Sequence, residues 1–378
     1  MDISDCRTEF TLNPEISYLN HAAVAPWPSR TVIAVEQFAR ENARQGSRNY
    51  PAWMAIESQL REQIRQLINA PSSDDIALLK NTSEALSVVA FGLSWAPGDN
   101  IVSSNEEFPS NRIVWEALQS KGVELRQADL HGEQSAEESL FALVDGNTRM
   151  IAISSVQYAS GFQLDLQRIG QFCQEHDILF CVDAIQSIGA LQFDVQAINA
   201  DFVMADGHKW MLGPEGLALF YCREDLREQL QLQQYGWHMT ENYLDFDDRK
   251  WSPAKTARRF ECGSPNMLAI HALTASLSLL LGVGMANIET AVLQNSRLLF
   301  ESIAAEPRLT LITDTSPGRY GGIVTFRHQG GDQQRVYEQL MAQGVMCAQR
   351  GGGIRFSPHF YTAPEQIIRA VELAAAVK

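Results

Sequence analysis

Lys209 lies in ADGHKWMLGPEGLALFY (205–221), directly after an apolar, strand-like run and between a Gly-His pair and a Gly-Pro-x-Gly turn. A lysine at a strand end of a parallel sheet stands where such sheets bind ligands, and apolar neighbours favour its neutral, nucleophilic form. The alternative is a solvated lysine beside a turn, and the segment alone leaves both open. Upstream, ILFCVDAIQSIGA (178–190) puts Asp183 at the end of a second strand-like run, with Gln186 following. Such a carboxylate caps a helix, anchors a loop, or keeps a ring nitrogen in its cationic form. A third segment, LLKNTSEALSVVAFG (78–92), sets Asn81, Thr82 and Ser83 at the start of an apolar-periodic helix. These residues serve as caps, or as a cradle in which N–H groups and hydroxyls hold a phosphate at the positive end of the helix.

Residues placed this way need a sheet whose strands deliver them to one edge. Strand-like runs at 76–79, 100–104, 150–156, 178–183, 201–206 and 216–221 alternate with helical patterns at 83–95, 109–120 and 165–176. That alternation predicts an α/β fold, a mostly parallel sheet flanked by helices. Residues 223–258 lose the periodicity and gather Trp237, His238, Tyr243, Phe246 and Trp251, which predicts a long excursion over the surface or a subunit boundary. Helical patterns at 267–282 and 284–305 follow, then strand-like runs at 309–313, 321–326, 345–348 and 353–356 and a helix from Pro364. This mixture reads as a smaller α+β domain, in keeping with a 378-residue chain of two or three domains.

Composition narrows the function. With 30 basic against 45 acidic residues the formal net charge is −15, so a phosphate backbone is repelled and nucleic acid is not an expected partner. Cys6, Cys173, Cys181, Cys222, Cys262 and Cys347 show no zinc or dithiol spacing, so no metal is expected and a reducing compartment is. The N-terminus MDISDCRTEF lacks the basic patch and apolar run of a secretory signal. The apolar stretch 267–285 is interrupted by His271, Thr274, Ser276 and Ser278, so it reads as a buried helix and no membrane is expected. The expectation is a soluble cytoplasmic protein.

Six segments, YLNHAAVAP (18–26), NTSEA (81–85), VDAIQ (182–186), DGHKW (206–210), RRFECGSPN (258–266) and IRFSPHFYTAPE (354–365), together resemble the class V aminotransferase family. This branch of pyridoxal-phosphate enzymes of fold type I includes cysteine desulfurases, selenocysteine lyases, C–S lyases and isopenicillin N epimerase. The resemblance implies a large cofactor-binding domain over 15–260 and a small domain built from 1–14 and 261–378. It implies pyridoxal 5′-phosphate as cofactor, with Lys209 as the Schiff-base lysine, Asp183 as partner of the pyridine nitrogen and Gln186 as donor to the phenolic oxygen. Thr82, Ser83 and His208 resemble the phosphate contacts. Ser264 resembles the hydroxyl that relatives send into the neighbouring subunit's phosphate site, which implies a homodimer with shared active sites. Arg355 resembles the arginine that clamps the substrate α-carboxylate, a task its planar fork suits. Asn20, His21 and Tyr158 match positions near substrate or cofactor, and Arg350 belongs to the same substrate end.

Three departures bear on the reaction. Many relatives stack a histidine over the cofactor ring where SNEEFPSN (104–111) supplies Phe108, which stacks but carries no proton. Asp206 replaces a serine or threonine that relatives turn to the phosphate, so it is expected to turn to a helix end or a basic neighbour. Desulfurases carry a nucleophilic cysteine on a long loop ahead of the carboxylate arginine, whereas only GGGI separates Arg350 from Arg355, and Cys347 lies inside a strand-like run. The expected reaction is therefore β-elimination on a small, sulfur-containing α-amino acid without a persulfide cysteine. Transamination and epimerisation are the alternatives, with a non-catalytic scaffold as a further one.

Overall fold

The structure is a computed structural model that describes residues 3–377. The first strand is the two-residue β1 (Ser17–Tyr18). The large sheet follows from β2 (Ile76–Leu79), β3 (Asn100–Ser104), β4 (Glu124–Ala128), β5 (Thr148–Ser154), β6 (Leu179–Asp183), β7 (Phe202–Asp206) and β8 (Ala218–Cys222). Its order is β2-β8-β7-β6-β5-β3-β4. Neighbours from β4 through β3, β5 and β6 to β7 are parallel, and only β8 runs against its two partners. Parallel strands enforce one consequence that matters for function. The segments leaving β3, β5, β6 and β7 all emerge at the same edge, carrying Phe108, Tyr158, Asp183 and Lys209 with them.

These strands read as continuous apolar runs because helices cover both faces of the sheet. One cluster on it includes Ile151, Ile153, Val182, Val203 and Leu219, and another includes Ala152, Cys181, Met204 and Phe220 from the opposite pleat. Helices Ser29–Gln45 and Tyr50–Leu67 pack against Met267–Val283. Sequence periodicity left the first two unread, since Thr31 is the only buried residue of Ser29–Gln45 and most of that helix faces solvent. Helix Met267–Val283 breaks at Gly284, in a left-handed conformation, before Met285–Ala304, and the two meet at 84°. Among the described residues no single helix is long and apolar enough to cross a membrane.

The second sheet combines β9 (Leu309–Leu311) and β10 (Val324–His328) with later strands. The run at 345–348 divides into β11 (Val345–Met346), which pairs with β1, and β12 (Ala348–Arg350), which joins β13 (Gly353–Phe356). Arg350 pairs with Gly353, so only Gly351 and Gly352 form the turn, at φ 58° and 73°. Two successive positive φ angles define a tight hairpin that suits glycine. Thr325 Oγ1 donates to Ala159 O (2.6 Å) and Thr313 Oγ1 to Ser160 O (2.5 Å), docking this sheet on the loop after β5.

The 223–258 stretch is a surface excursion, with Tyr235, Phe246 and Trp251 exposed. Its root is fastened inside: Arg258 lies 4.0 Å from the Tyr243 ring centre, and buried His238 stands beside Glu57 and Glu261, which Arg61 bridges at 2.6 Å each.

Candidate active site

Lys209 lies three residues after the end of β7 and is only 8% exposed, which rules out the solvated alternative. Its Nζ stands 5.6 Å from the centre of the Phe108 ring. Burial pushes its pKa down, and the Asp183 charge partly opposes that. The turn that carries it is tight: Leu212 N–H donates to Lys209 O (3.0 Å) with Leu212 itself at φ 61°, a left-handed setting that a leucine rarely adopts. Gly189 comes so close to the Trp210 carbonyl that a Cβ there would collide with it. The lysine segment and the 184–190 turn are thereby wedged together.

Asp183 ends β6, is 2% exposed and accepts from Ile185 N–H (3.1 Å). Burial pushes its carboxyl up, and the Lys209 ammonium pulls it back. The side chain both anchors a loop and faces the lysine electrostatically. Gln186 is engaged at both ends, donating to Ala22 O (3.2 Å) and accepting from Trp210 Nε1 (2.9 Å). One amide hydrogen is left over for any further acceptor.

The helix Thr82–Gly92 is capped by Asn81, whose side chain accepts from Glu84 N–H (2.8 Å). Thr82 and Ser83 are therefore released from capping and sit in the first turn. Asp206 does turn to a helix end: its Oδ2 accepts from Thr82 N–H (3.2 Å), and its Oδ1 lies 3.3 Å from His208 Nδ1. Thr82 Oγ1, Asp206 Oδ1 and His208 Nδ1 are buried, and none has a hydrogen-bond partner. Ser83 Oγ meets Ser110 Oγ at 2.7 Å. Unpaired buried polar atoms are costly, and two of these, Thr82 Oγ1 and His208 Nδ1, stand beside a helix N-terminus as potential donors, a chemistry that suits a phosphate. Together with a buried lysine and a carboxylate across the site, these residues fit pyridoxal 5′-phosphate, with Asp206 the one group of the wrong charge.

On the other side, Arg355 of β13 is 2% exposed. Its Nη1 donates to Tyr158 O (2.7 Å) while its Nε is buried without a partner. No carboxylate pairs with it among the described residues. Burial pushes its pKa down to about 10, with the nearby Arg350 charge adding to the effect. Arg350 is itself exposed and donates to Gln349 O (2.8 Å). The Tyr158 ring meets Phe108 edge-on, with ring centres 5.1 Å apart. Asn20 is bridged to Ser357, and its buried Oδ1 lacks a partner.

Two expected site residues stand elsewhere. His21 is fully buried with both ring nitrogens occupied: Nδ1–H donates to Ser357 O (2.9 Å), and Nε2 accepts from the Tyr361 hydroxyl (2.6 Å). Neither nitrogen is left for a substrate, so His21 ties the two chain ends together, and that expectation is corrected. Ser264 is exposed and lines a surface cavity of about 440 Å³ with Leu79, Lys80 and Glu84, a lining that includes none of the other candidates. Sequence reading missed Glu107, which anchors the segment bearing Phe108. Its only signal was a charged residue next to an aromatic one at a strand end.

A class V aminotransferase family model matches residues 17–370. The chain belongs to that family, and it is accordingly a pyridoxal-phosphate-dependent enzyme. A probable cysteine desulfurase of Methanothermobacter thermautotrophicus is 30% identical, covering 97% of this chain and 96% of its own. A cysteine desulfurase of Salmonella typhimurium is also 30% identical, over 82% of this chain and 77% of its own. The fold recurs in the cysteine desulfurase CsdA of Escherichia coli, at TM-score 0.88 and 22% identity, covering 99% of this chain and 97% of that one. It recurs again in the cystine C–S lyase C-DES in complex with its product cysteine persulfide, at TM-score 0.89 and 22% identity, covering 96% and 98%.

Proposed function

We propose that this enzyme is a lyase that removes the β-substituent from a small sulfur-containing α-amino acid. The observation that carries the reading is the buried, acid-free Arg355 across the site from buried Lys209. Bound pyridoxal phosphate supplies an electron sink for the α-carbon. Everything else falls to the chain. Arg355 offers two N–H groups of a desolvated guanidinium to the α-carboxylate and so fixes which α-bond faces the lysine. Lys209, whose neutral form burial favours, takes the α-proton and holds it at Nζ. Asp183 keeps the ring nitrogen's proton in place. Phe108 packs against the ring and excludes water without exchanging protons, leaving Lys209 as the proton carrier on that face.

Thr82, Ser83 and His208 hold the phosphate, Gln186 donates to the phenolic oxygen, and Asn20 and Tyr158 line the substrate end. Arg350, at the hairpin rim, faces a second anionic group of the substrate, as a disulfide of two amino acids would present. Cystine is therefore the first substrate to test.

The persulfide route is disfavoured by cysteine placement. Cys173, Cys181, Cys222 and Cys347 are unpaired and buried, Cys262 is half-buried, and burial pushes the Cys347 thiol up to about 12. A thiol of that kind is a poor nucleophile. The two-residue Gly351-Gly352 turn leaves no room for a long cysteine-bearing loop between Arg350 and Arg355. Unpaired thiols also suit the reducing cytoplasm. The working assembly is a homodimer in which the exposed Ser264 reaches the neighbour's phosphate site. In each subunit the 15–260 unit carries helix Met267–Val283 with it, and the rest of the C-terminal part joins the N-terminal residues in the small unit.

The test is product identification with cysteine, cystine and a cysteine conjugate. The reading expects pyruvate together with sulfide, persulfide or thiol. Transfer of the amino group to a keto acid without loss of the side-chain sulfur would make the enzyme a transaminase. Inversion at the α-carbon would make it an epimerase, and no turnover of any amino acid a scaffold.

A further inference from the structure

Glu107 is 6% exposed and gathers five donors: Ser104 Oγ (2.9 Å), Asn111 Nδ2 (2.7 Å), Ser154 N–H (3.0 Å), Ser154 Oγ and Gln157 Nε2 (2.9 Å). All five are neutral, so the carboxylate's charge is balanced by dipoles alone. The five donors come from four residues, each in a different part of the site's frame. Ser104 ends β3, Asn111 lies in the helix Pro109–Glu116 that follows Phe108, Ser154 ends β5, and Gln157 precedes Tyr158. Ser154 is in turn the register partner of Asp183. The adjacent residue, Phe108, faces Lys209, and the Tyr158 carbonyl accepts from Arg355.

We propose that Glu107 is a positioning residue that locks Phe108 and the Tyr158 carbonyl into one frame, so that the cofactor ring and Arg355 keep a fixed separation. This rests on the functional reading above, because the two things held apart are the cofactor platform and the carboxylate clamp. A carboxylate suits the task, since its two oxygens accept all five bonds and have no hydrogen to clash with a donor. The Glu107 charge has a further effect: after burial, it is among the causes that push the Asp183 carboxyl up.

Glu107→Gln puts an N–H where donors converge, and at least one arm must open. Relative to wild type, the affinity for pyridoxal phosphate should fall about tenfold and the amino-acid KM should rise about tenfold. The pH midpoint of the bound cofactor's visible absorbance should move down on the order of half a unit, because a negative neighbour is gone. Glu107→Asp, which keeps the charge, should leave that midpoint near wild type. Should Glu107→Gln fail to fold, the arms can be cut singly. Gln157→Leu should raise KM with cofactor affinity unchanged, whereas Asn111→Leu should weaken cofactor affinity first. Glu137→Gln is the control: Glu137 is a fully buried carboxylate that accepts from Arg319 and Asp165 N–H and shares no hydrogen bond with these arms, and its loss should lower Tm and leave absorbance and KM alone. The proposal is overturned if Glu107→Gln matches wild type in all three readouts, or if the two single-arm variants move affinity and KM together. A wild type that takes up no cofactor at Lys209 would instead overturn the functional reading itself.

Discussion

Replacing Arg355 by Met should stabilise the cofactor-free protein and cripple substrate binding in the same stroke. The guanidinium is nearly fully buried, its pKa is pushed down to about 10 from 12.5, and the cause is first burial and then the Arg350 charge. A lowered pKa on a base means the charged form is penalised in the folded state. The penalty is fully present below pH 10 and fades only as pH rises towards 12.5. At about 1.4 kcal/mol per pH unit it amounts to about 3 kcal/mol. Methionine keeps most of the stem's packing and forfeits the single bond to Tyr158 O, worth about 1 kcal/mol. The net expectation is a gain of about 2 kcal/mol in unfolding free energy, read from urea denaturation of the cofactor-free enzyme. For function, two charge-assisted bonds to the α-carboxylate vanish, so the amino-acid KM should rise on the order of a hundredfold or more, with cofactor affinity unchanged. A variant that loses stability while keeping its KM would refute the assignment, because Arg355 would then be an ordinary structural cation.

Acid should destabilise the fold through its buried imidazoles. His359, fully buried between Trp210 O and Phe360 N–H, is pushed down to about 4 by burial. The unfolded chain takes up that proton below about pH 6.5, so stability should fall as pH drops from 6.5 to 4, by about 3 kcal/mol for this group. Denaturation midpoints across that range check it, and His359→Gln should flatten the slope. Gly189→Ala should cost several kcal/mol, since φ is 98° and the added carbon meets the Trp210 carbonyl; near-wild-type Tm would contradict the wedge between the two turns. Replacing Cys347 and Cys262 together by Ser should leave sulfur release within a fewfold of wild type. Abolished release would restore the persulfide route.

Much of the architecture was legible because strands buried on both faces leave short runs rich in apolar residues, and the runs at 76–79, 100–104 and 353–356 match strands to the residue. Helix Ser29–Gln45 escaped for the opposite reason, as a mostly solvent-facing helix shows only a narrow apolar stripe, and in Tyr50–Leu67 the buried stripe itself holds Glu57 and Gln63, which interrupt the apolar signal. The candidates Lys209, Asp183, Thr82 and His208 could be read because each follows a strand or opens a helix, where short motifs carry the geometry. His21 misled, since LNHAA does not reveal that Ser357 and Tyr361, far along the chain, would claim both nitrogens. Glu107 was invisible for a related reason: its donors come from two strand ends, a helix and a loop that only the folded sheet gathers.

The most direct measurement is borohydride reduction of the enzyme loaded with pyridoxal phosphate, followed by peptide mass spectrometry. The account predicts one phosphopyridoxyl group, on the peptide containing Lys209, and none in Lys209→Ala. An adduct on another lysine, or no adduct in an enzyme that still turns over amino acids, would contradict it.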